Sequence, residues 1–187
     1  MCRRFDPVHC YHILNMHMNH YAIELDFIRW SADELIADMQ SFPDTAWYHE
    51  NGYANRYIRP QVSKPLYEQI WAQIPEFEGN LGKSFYAELA PKQLLPPHID
   101  VGRTASINFP LIGDWTKTPV RWHSSKAMTR ASVIHEHCYA SHCPTIINTT
   151  ELHSAYNVTD ETRYLFCVSV YLPWEEIQQI VEHYRSA

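Results

Sequence analysis

A mainly β domain with flanking helices is the architecture this sequence predicts, and three features carry the expectation. From Phe85 onward, short runs rich in β-branched and aromatic residues recur between turn-forming clusters. On either side of that region, apolar residues recur at helical spacing. The length of 187 residues and the 45% hydrophobic content suffice for one full core, most simply a single domain spanning 1–187. Helices outside and many short strands inside describe a decorated β-barrel, with the helices buttressing one sheet.

The elements follow in order. Residues 1–20, His-rich at Met16-His17-Met18-Asn19-His20, show no pattern. A strand is expected within Tyr21 to Trp30. Ser31-Ala32-Asp33-Glu34 is a capping box, so a helix should start there, run to about Gln40 and stop before Pro43. A second helix is expected from Ser63, with Pro65 in its first turn and Leu66, Ile70 and Ile74 on one face. Residues 1–80 thus form a mostly helical N-terminal support region. The strand-rich core, 81–173, includes Phe85 to Leu89, two edge-like strands near Val120–His123 and Ala131–Glu136, and Thr145–Asn148. Pro173 then introduces an amphipathic C-terminal helix within 174–187, carrying Ile177, Ile180, Val181 and Tyr184 on its apolar face.

Composition narrows the function classes. Charged residues make up 19% and glycine is scarce, which excludes disordered and collagen-like classes. The formal charge of −6 argues against general nucleic-acid binding. The five cysteines have no framework spacing, and no secretory leader or transmembrane run is visible in the sequence. Reduced thiols and a cytoplasmic setting, away from the membrane, are therefore expected.

The chemistry concentrates in Pro97-His98-Ile99-Asp100, read with His153 and Arg163. Two histidines and a carboxylate are the ligand set of a facial triad, which binds non-haem Fe(II) and leaves the opposite positions open. H-x-D alone is a weak signal in a chain with twelve histidines. Its context strengthens it: apolar segments flank the motif, and His153 precedes the turn-like stretch 157–162. Arg163 then opens the strand-like run to Tyr171. Period-two alternation places Arg163 on one face with Leu165, Cys167 and Ser169, and an arginine on an apolar inner face needs an anion.

Pro97-His98-Ile99-Asp100, then Ile107-Asn108-Phe109-Pro110-Leu111, then His153-Ser154-Ala155-Tyr156-Asn157 before Arg163 resemble the Fe(II)- and 2-oxoglutarate-dependent oxygenases. Within them the chain looks most like the aspartyl/asparaginyl β-hydroxylase-like branch, which has small phage and bacterial members; a phage-encoded member would act in the host cytoplasm. The resemblance covers Ser84 to Pro173, and its distal part, His153 through Arg163, is the specific one. It implies a double-stranded β-helix, the jelly-roll or cupin-like barrel, with 81–173 as the catalytic core. It further implies Fe(II) held by His98, Asp100 and His153, with 2-oxoglutarate as co-substrate, its far carboxylate on Arg163, and dioxygen as the second co-substrate. The implied activity is a dioxygenase hydroxylating an amino-acid side chain, free or on a peptide. The branch usually carries a basic residue and a histidine on the strand after the motif; here Thr104-Ala105-Ser106-Ile107-Asn108 stands in that place. Other members lack the carboxylate that Asp100 supplies.

Other residues carry two readings each. Asn108 and Tyr86 are candidates to hydrogen-bond the co-substrate carboxylate, or are satisfied core groups. Arg103 is a candidate to meet a substrate carboxylate at the pocket mouth, or a solvated loop residue. Trp47, Trp115 and Trp122 line a cleft or simply pack. His135-Glu136-His137-Cys138 with His142 and Cys143 is the rival metal cluster, although its cysteines sit wider than a zinc knuckle. His9, Cys10, His12, His17 and His20 form a weaker one. A nucleic-acid demethylase of the same fold would carry a second arginine six residues after the first, where this chain has Ser169. A cupin-type dioxygenase would use three histidines, and a non-catalytic binding module would retain the motif without turnover.

Overall fold

The computed structural model describes residues 19–49, 56–58, 64–127 and 132–186, with backbone alone for 64–67. The first part holds β1 (Ala22–Glu24), α1 (Ala32–Gln40), β2 (Tyr48–His49), β3 (Arg56–Ile58) and α2 (Lys64–Trp71). The strand-rich part holds β4 (Leu81–Leu89), β5 (Leu94–His98), β6 (Ala105–Ile112), β7 (Val120–His123) and β8 (Val133–His137). It continues with β9 (Thr145–Asn148), β10 (His153–Tyr156) and β11 (Arg163–Val170), and α3 (Trp174–Ser186) follows. Residues 19–80 thus contribute three strands as well as helices α1 and α2.

The strands pair antiparallel into a larger sheet ordered β1-β9-β6-β11-β4-β3-β2 and a smaller one ordered β5-β10-β7-β8. The two sheets enclose a small core of Ala22, Trp115, Val120, Trp122, Tyr139, Ile147, Leu165 and Cys167. On its other face the larger sheet meets the helices. Leu35 and Met39 of α1, Ile70 and Trp71 of α2, and Ile177 and Val181 of α3 pack there with Ile107, Phe109, Phe166 and Val168. The central strands are therefore buried on both faces, which is why β6 and β11 read as nearly continuous apolar runs.

The local expectations are met unevenly. Ser31 caps α1, its hydroxyl accepting from the Glu34 amide at 3.2 Å. The second helix ends at Trp71; Ile74 lies past it, buried just before a short 3-10 turn that opens on Pro75. Ser63 falls outside the described residues, as does the Leu66 side chain. The strand expected at Phe85 begins four residues earlier, at Leu81. β8 is an edge strand, but β7 is not: it lies between β10 and β8. Within β7, the Arg121 side chain leaves the core to pair with Glu136 of β8 at 2.6 Å. Among the described residues no helix is long and apolar enough to cross a membrane.

Asn157 fastens the turn between β10 and β11. Fully buried, its amide nitrogen donates to the carbonyls of Leu89 (2.9 Å), Ala90 (3.1 Å) and Glu161 (2.7 Å). Its side-chain oxygen accepts from the Thr159 amide and hydroxyl. Asn157→Ala removes this hub and strands buried carbonyls. We expect a loss of roughly 2–4 kcal/mol of stability in urea unfolding, since each buried unsatisfied group costs about 1–3 kcal/mol.

Candidate metal centre

His98 ends β5 and His153 begins β10, and the two are direct cross-strand partners. Strand β5 carries Pro96 and Pro97, tolerated because it is the edge of its sheet. Between the pairs His153–His98 and Ala155–Leu95 the register shifts, giving β5 one extra residue. That bulge lets both Leu95 and His98, three residues apart, line the space between the sheets. The imidazole rings sit 4.4 Å apart between centroids.

Each histidine is set by the carbonyl two residues before it. His98 Nδ1 lies 2.8 Å from the Pro96 oxygen, and His153 Nδ1 lies 2.8 Å from the Glu151 oxygen. A carbonyl can only accept, so each Nδ1 carries the proton and each Nε2 presents a lone pair. Both Nε2 atoms face Asp100, at 3.4 Å from Oδ1 for His98 and 4.0 Å from Oδ2 for His153. Asp100 is held in turn by its own amide, which donates to the Thr149 carbonyl at 3.1 Å. One ligand atom from each residue lies within 4.8 Å of the others, the only such group of His, Cys, Asp or Glu among the described residues.

The electrostatics suit a cation. Burial, then the neighbouring His98, pulls the pKa of His153 down to about 4, so its ring is neutral near pH 7. Burial by itself would raise Asp100. The neighbouring His98, Arg103 and His153 outweigh it and hold the carboxyl well below its usual range. Two imidazoles with preset Nε2 lone pairs and one ionised carboxylate are what a divalent metal needs. The residues present fit the group.

A cavity of about 100 Å³ opens beside these donors, and Arg163 lines it with them. The arginine begins β11, where Gly113, at a positive φ of 131°, lets the chain pass within van der Waals contact of the Arg163 backbone. The side chain is 4% exposed. Its Nη1 donates to the Thr118 carbonyl at 3.1 Å, and the guanidinium lies over Trp115 (5.2 Å) and Tyr139 (5.8 Å). Among the described residues no carboxylate pairs with it, and burial pulls its pKa down. Asn108 lines the same cavity: it accepts from the Ser106 hydroxyl (2.7 Å) and donates to the Tyr139 hydroxyl (2.7 Å).

Two expectations need correction. Tyr86 is not in the cavity: it lies on the helix-facing side of β4, fully buried, donating to Asp38 of α1 at 2.7 Å. Its neighbours Phe85 and Ala87 face the cavity instead. Arg103 does line the cavity, but its fork is taken, with Nε and Nη2 on Asp100 Oδ2 at 2.7 and 2.6 Å. Of the tryptophans, Trp115 touches Arg163 and Trp122 is buried in the inter-sheet core, while Trp47 packs on Tyr164. In the rival cluster His135 stacks on Tyr21, and His137 meets Tyr139 edge-on. His9, Cys10, His12 and His17 lie outside the described residues. Tyr139 and Thr118 were missed from sequence, because neither sits in a motif and both lie in loops that only tertiary structure brings to the cavity.

No protein-family model matches the chain, and no curated protein does. Solved structures do resemble it. A prolyl hydroxylase from Trichoplax adhaerens, in complex with a hypoxia-inducible-factor oxygen degradation domain peptide, is 10% identical with a TM-score of 0.61, over 86% of each chain. A Pseudomonas putida prolyl-4-hydroxylase is 14% identical with a TM-score of 0.56, over 82% of this chain and 94% of that one. HygX from Streptomyces hygroscopicus, with nickel, 2-oxoglutarate and hygromycin B bound, is 9% identical with a TM-score of 0.56, over 79% and 81%. At such identities the likeness establishes the fold, a double-stranded β-helix of jelly-roll type.

The low pKa of His153 fixes a sign for stability. Its folded value of about 4 lies below the ordinary 6.5, so the unfolded chain takes the proton first as pH falls. Stability of the metal-free protein should be intact above about pH 6.5 and fall progressively toward pH 4, by on the order of 3 kcal/mol from this group. Urea unfolding in chelator at several pH values measures the slope. Comparison with His153→Gln isolates it from His123 and His135, whose pKa values burial also lowers.

Proposed function

We propose that the protein is an Fe(II)- and 2-oxoglutarate-dependent dioxygenase that hydroxylates an amino-acid side chain, free or carried by a peptide. The observation that carries this reading is a single cavity with two complementary demands. A two-histidine, one-carboxylate cluster stands at its wall, and in the same space stands a buried guanidinium that no carboxylate pairs with among the described residues. One calls for a divalent metal and the other for an anion, and 2-oxoglutarate bound to iron answers both.

His98 Nε2, an Asp100 oxygen and His153 Nε2 would hold the iron on one face. When bound, iron with 2-oxoglutarate and dioxygen supplies the oxidising chemistry, converting a C–H bond to C–OH while 2-oxoglutarate becomes succinate and carbon dioxide. The protein supplies orientation and a dry wall. Arg163 pairs with the carboxylate of 2-oxoglutarate far from the metal, its guanidinium kept in place by Trp115, Tyr139 and the Thr118 carbonyl. Ser106, Asn108 and Tyr139 form a directed chain of donors. The Tyr139 hydroxyl accepts from Asn108, so its own proton is available to the same carboxylate, and burial raises its pKa to about 12, keeping that proton on. Asn108 therefore serves the co-substrate through Tyr139. Burial likewise raises Cys167 to about 12, so the cavity presents a neutral thiol, not a competing thiolate.

An amino-acid substrate is favoured by the motif resemblance to the aspartyl/asparaginyl β-hydroxylase-like branch. Peptide and small-molecule ligands both occur among the structural neighbours. The cavity wall offers Phe85 and Leu95 near the triad, a surface for the apolar part of such a side chain.

Anaerobic reconstitution with Fe(II) and 2-oxoglutarate, then oxygen, should yield succinate, rising with the right substrate in a screen of free amino acids and Asp- or Asn-containing peptides. Turnover confined to methylated oligonucleotides would overturn the substrate class. Arg163→Lys keeps the charge but loses the fork, and should weaken 2-oxoglutarate binding roughly tenfold or more, about 1.5 kcal/mol for one charge-assisted bond. Unchanged 2-oxoglutarate affinity in that variant would leave Arg163 a purely structural residue.

A further inference from the structure

We propose that Arg103 is a positioning residue for the metal-binding carboxylate: it clamps one oxygen of Asp100 so that the other stays turned to the metal position. The inference rests on the metal reading of His98, Asp100 and His153 given above.

The geometry is local and specific. Asp100, Val101, Gly102 and Arg103 form a tight turn between β5 and β6, and Gly102 takes a positive φ of 83° within it. The turn folds Arg103 back over Asp100, three residues earlier. Both Nε (2.7 Å) and Nη2 (2.6 Å) of the guanidinium fall on one atom, Asp100 Oδ2. The other oxygen, Oδ1, is turned toward His98 Nε2 at 3.4 Å, while His153 Nε2 lies 4.0 Å from Oδ2. Arg103 is itself held from two further sides: its Nη1 reaches the Ser169 hydroxyl at 3.5 Å, and its guanidinium lies over the Phe85 ring at 5.2 Å. Its side chain is 19% exposed and that of Asp100 13%, so little water competes for either group.

Two consequences follow. A carboxylate with one oxygen held by a guanidinium can rotate only by giving up a charge-assisted hydrogen bond and a close ion pair. Asp100 is thereby set up to present Oδ1, its unclamped oxygen, to the metal position. In the metal-free protein, Arg103 also neutralises a carboxylate that is largely out of water and would otherwise resist burial. Exposed Val101, beside them, takes no part in either contact. Ser169, where a same-fold nucleic-acid demethylase would carry a second arginine, here has its hydroxyl facing Arg103.

The test reads metal binding without turnover. Mn(II) affinity of the full chain, measured by calorimetry or by the EPR signal of free Mn(II), is compared among wild type, Arg103→Gln and Arg103→Lys, with thermal melts reporting the fold. Arg103→Gln should weaken Mn(II) about 10- to 100-fold, the usual effect of removing a partner that orients a ligand. Arg103→Lys, which can return one hydrogen bond to Oδ2, should recover part of that loss. Equal Mn(II) affinity in all three would overturn the proposal, and so would a lowered melting temperature with Mn(II) affinity intact. Wild type that fails to bind Mn(II) would instead sink the metal reading itself, and this inference with it.

Discussion

The antiparallel pairing of β5 with β10 is the constraint on which the site depends. Side chains alternate faces along a strand, so a slip of one residue would send His153 to the far side of its sheet. Three features hold the register. The bulge over Pro96 and Pro97 resets parity just before His98. Trp122, buried on β7 and cross-paired with His153 from the other side, donates to the Asn148 carbonyl of β9 and so ties β10's neighbour to the larger sheet. Asn157 then binds the exit of β10 to the end of β4. The prolines that would disrupt a central strand are here the device that aims a histidine.

Helix packing has a less obvious part in the site. Because α1, α2 and α3 cover the outer face of the larger sheet, β6 and β11 lie in dry surroundings on both sides. Arg163 thus begins a strand covered on both faces and is itself buried, which makes its charge expensive without an anion. Stability and function pull in opposite directions at this one residue. The fold meets part of the cost with the Thr118 carbonyl and two aromatic faces, and leaves the rest to a ligand.

The sequence displayed the fold class and the convergence of His98, Asp100, His153 and Arg163, since spacing and flanking strand patterns survive without coordinates. Parity on a doubly buried strand did not survive. In a half-exposed strand, polar residues announce the solvent side, but β4 reads Phe85, Tyr86, Ala87 with both faces covered, and Tyr86 gives no sign that it turns toward Asp38. Short strands at the larger sheet's edge were equally hidden: β2 and β3 have two and three residues, too few for any periodicity. Tyr139 follows the His-rich strand β8, and only tertiary structure brings its hydroxyl to Asn108. For Arg103 the local sequence was sufficient in principle, because Asp-x-Gly-Arg after a strand end allows a turn that returns the arginine to the aspartate.

The two arginines of the cavity make opposite statements about what belongs there. Both are confined, both lie over aromatic rings, and both border the same small space. Arg103 has its carboxylate already, three residues away along the chain, so a second anion brought to it would have to compete with a short hydrogen bond and a close ion pair. Among the described residues Arg163 meets a carbonyl and ring faces, which orient a guanidinium without cancelling its charge. An acidic ligand entering the cavity is therefore directed past Arg103 to Arg163. The Asp100 carboxylate, for its part, is held by Arg103 beside the two histidines. A cavity with two free guanidinium forks would bind diacids in either direction; one with a single free fork binds them in one orientation, with the second carboxylate left for the metal side.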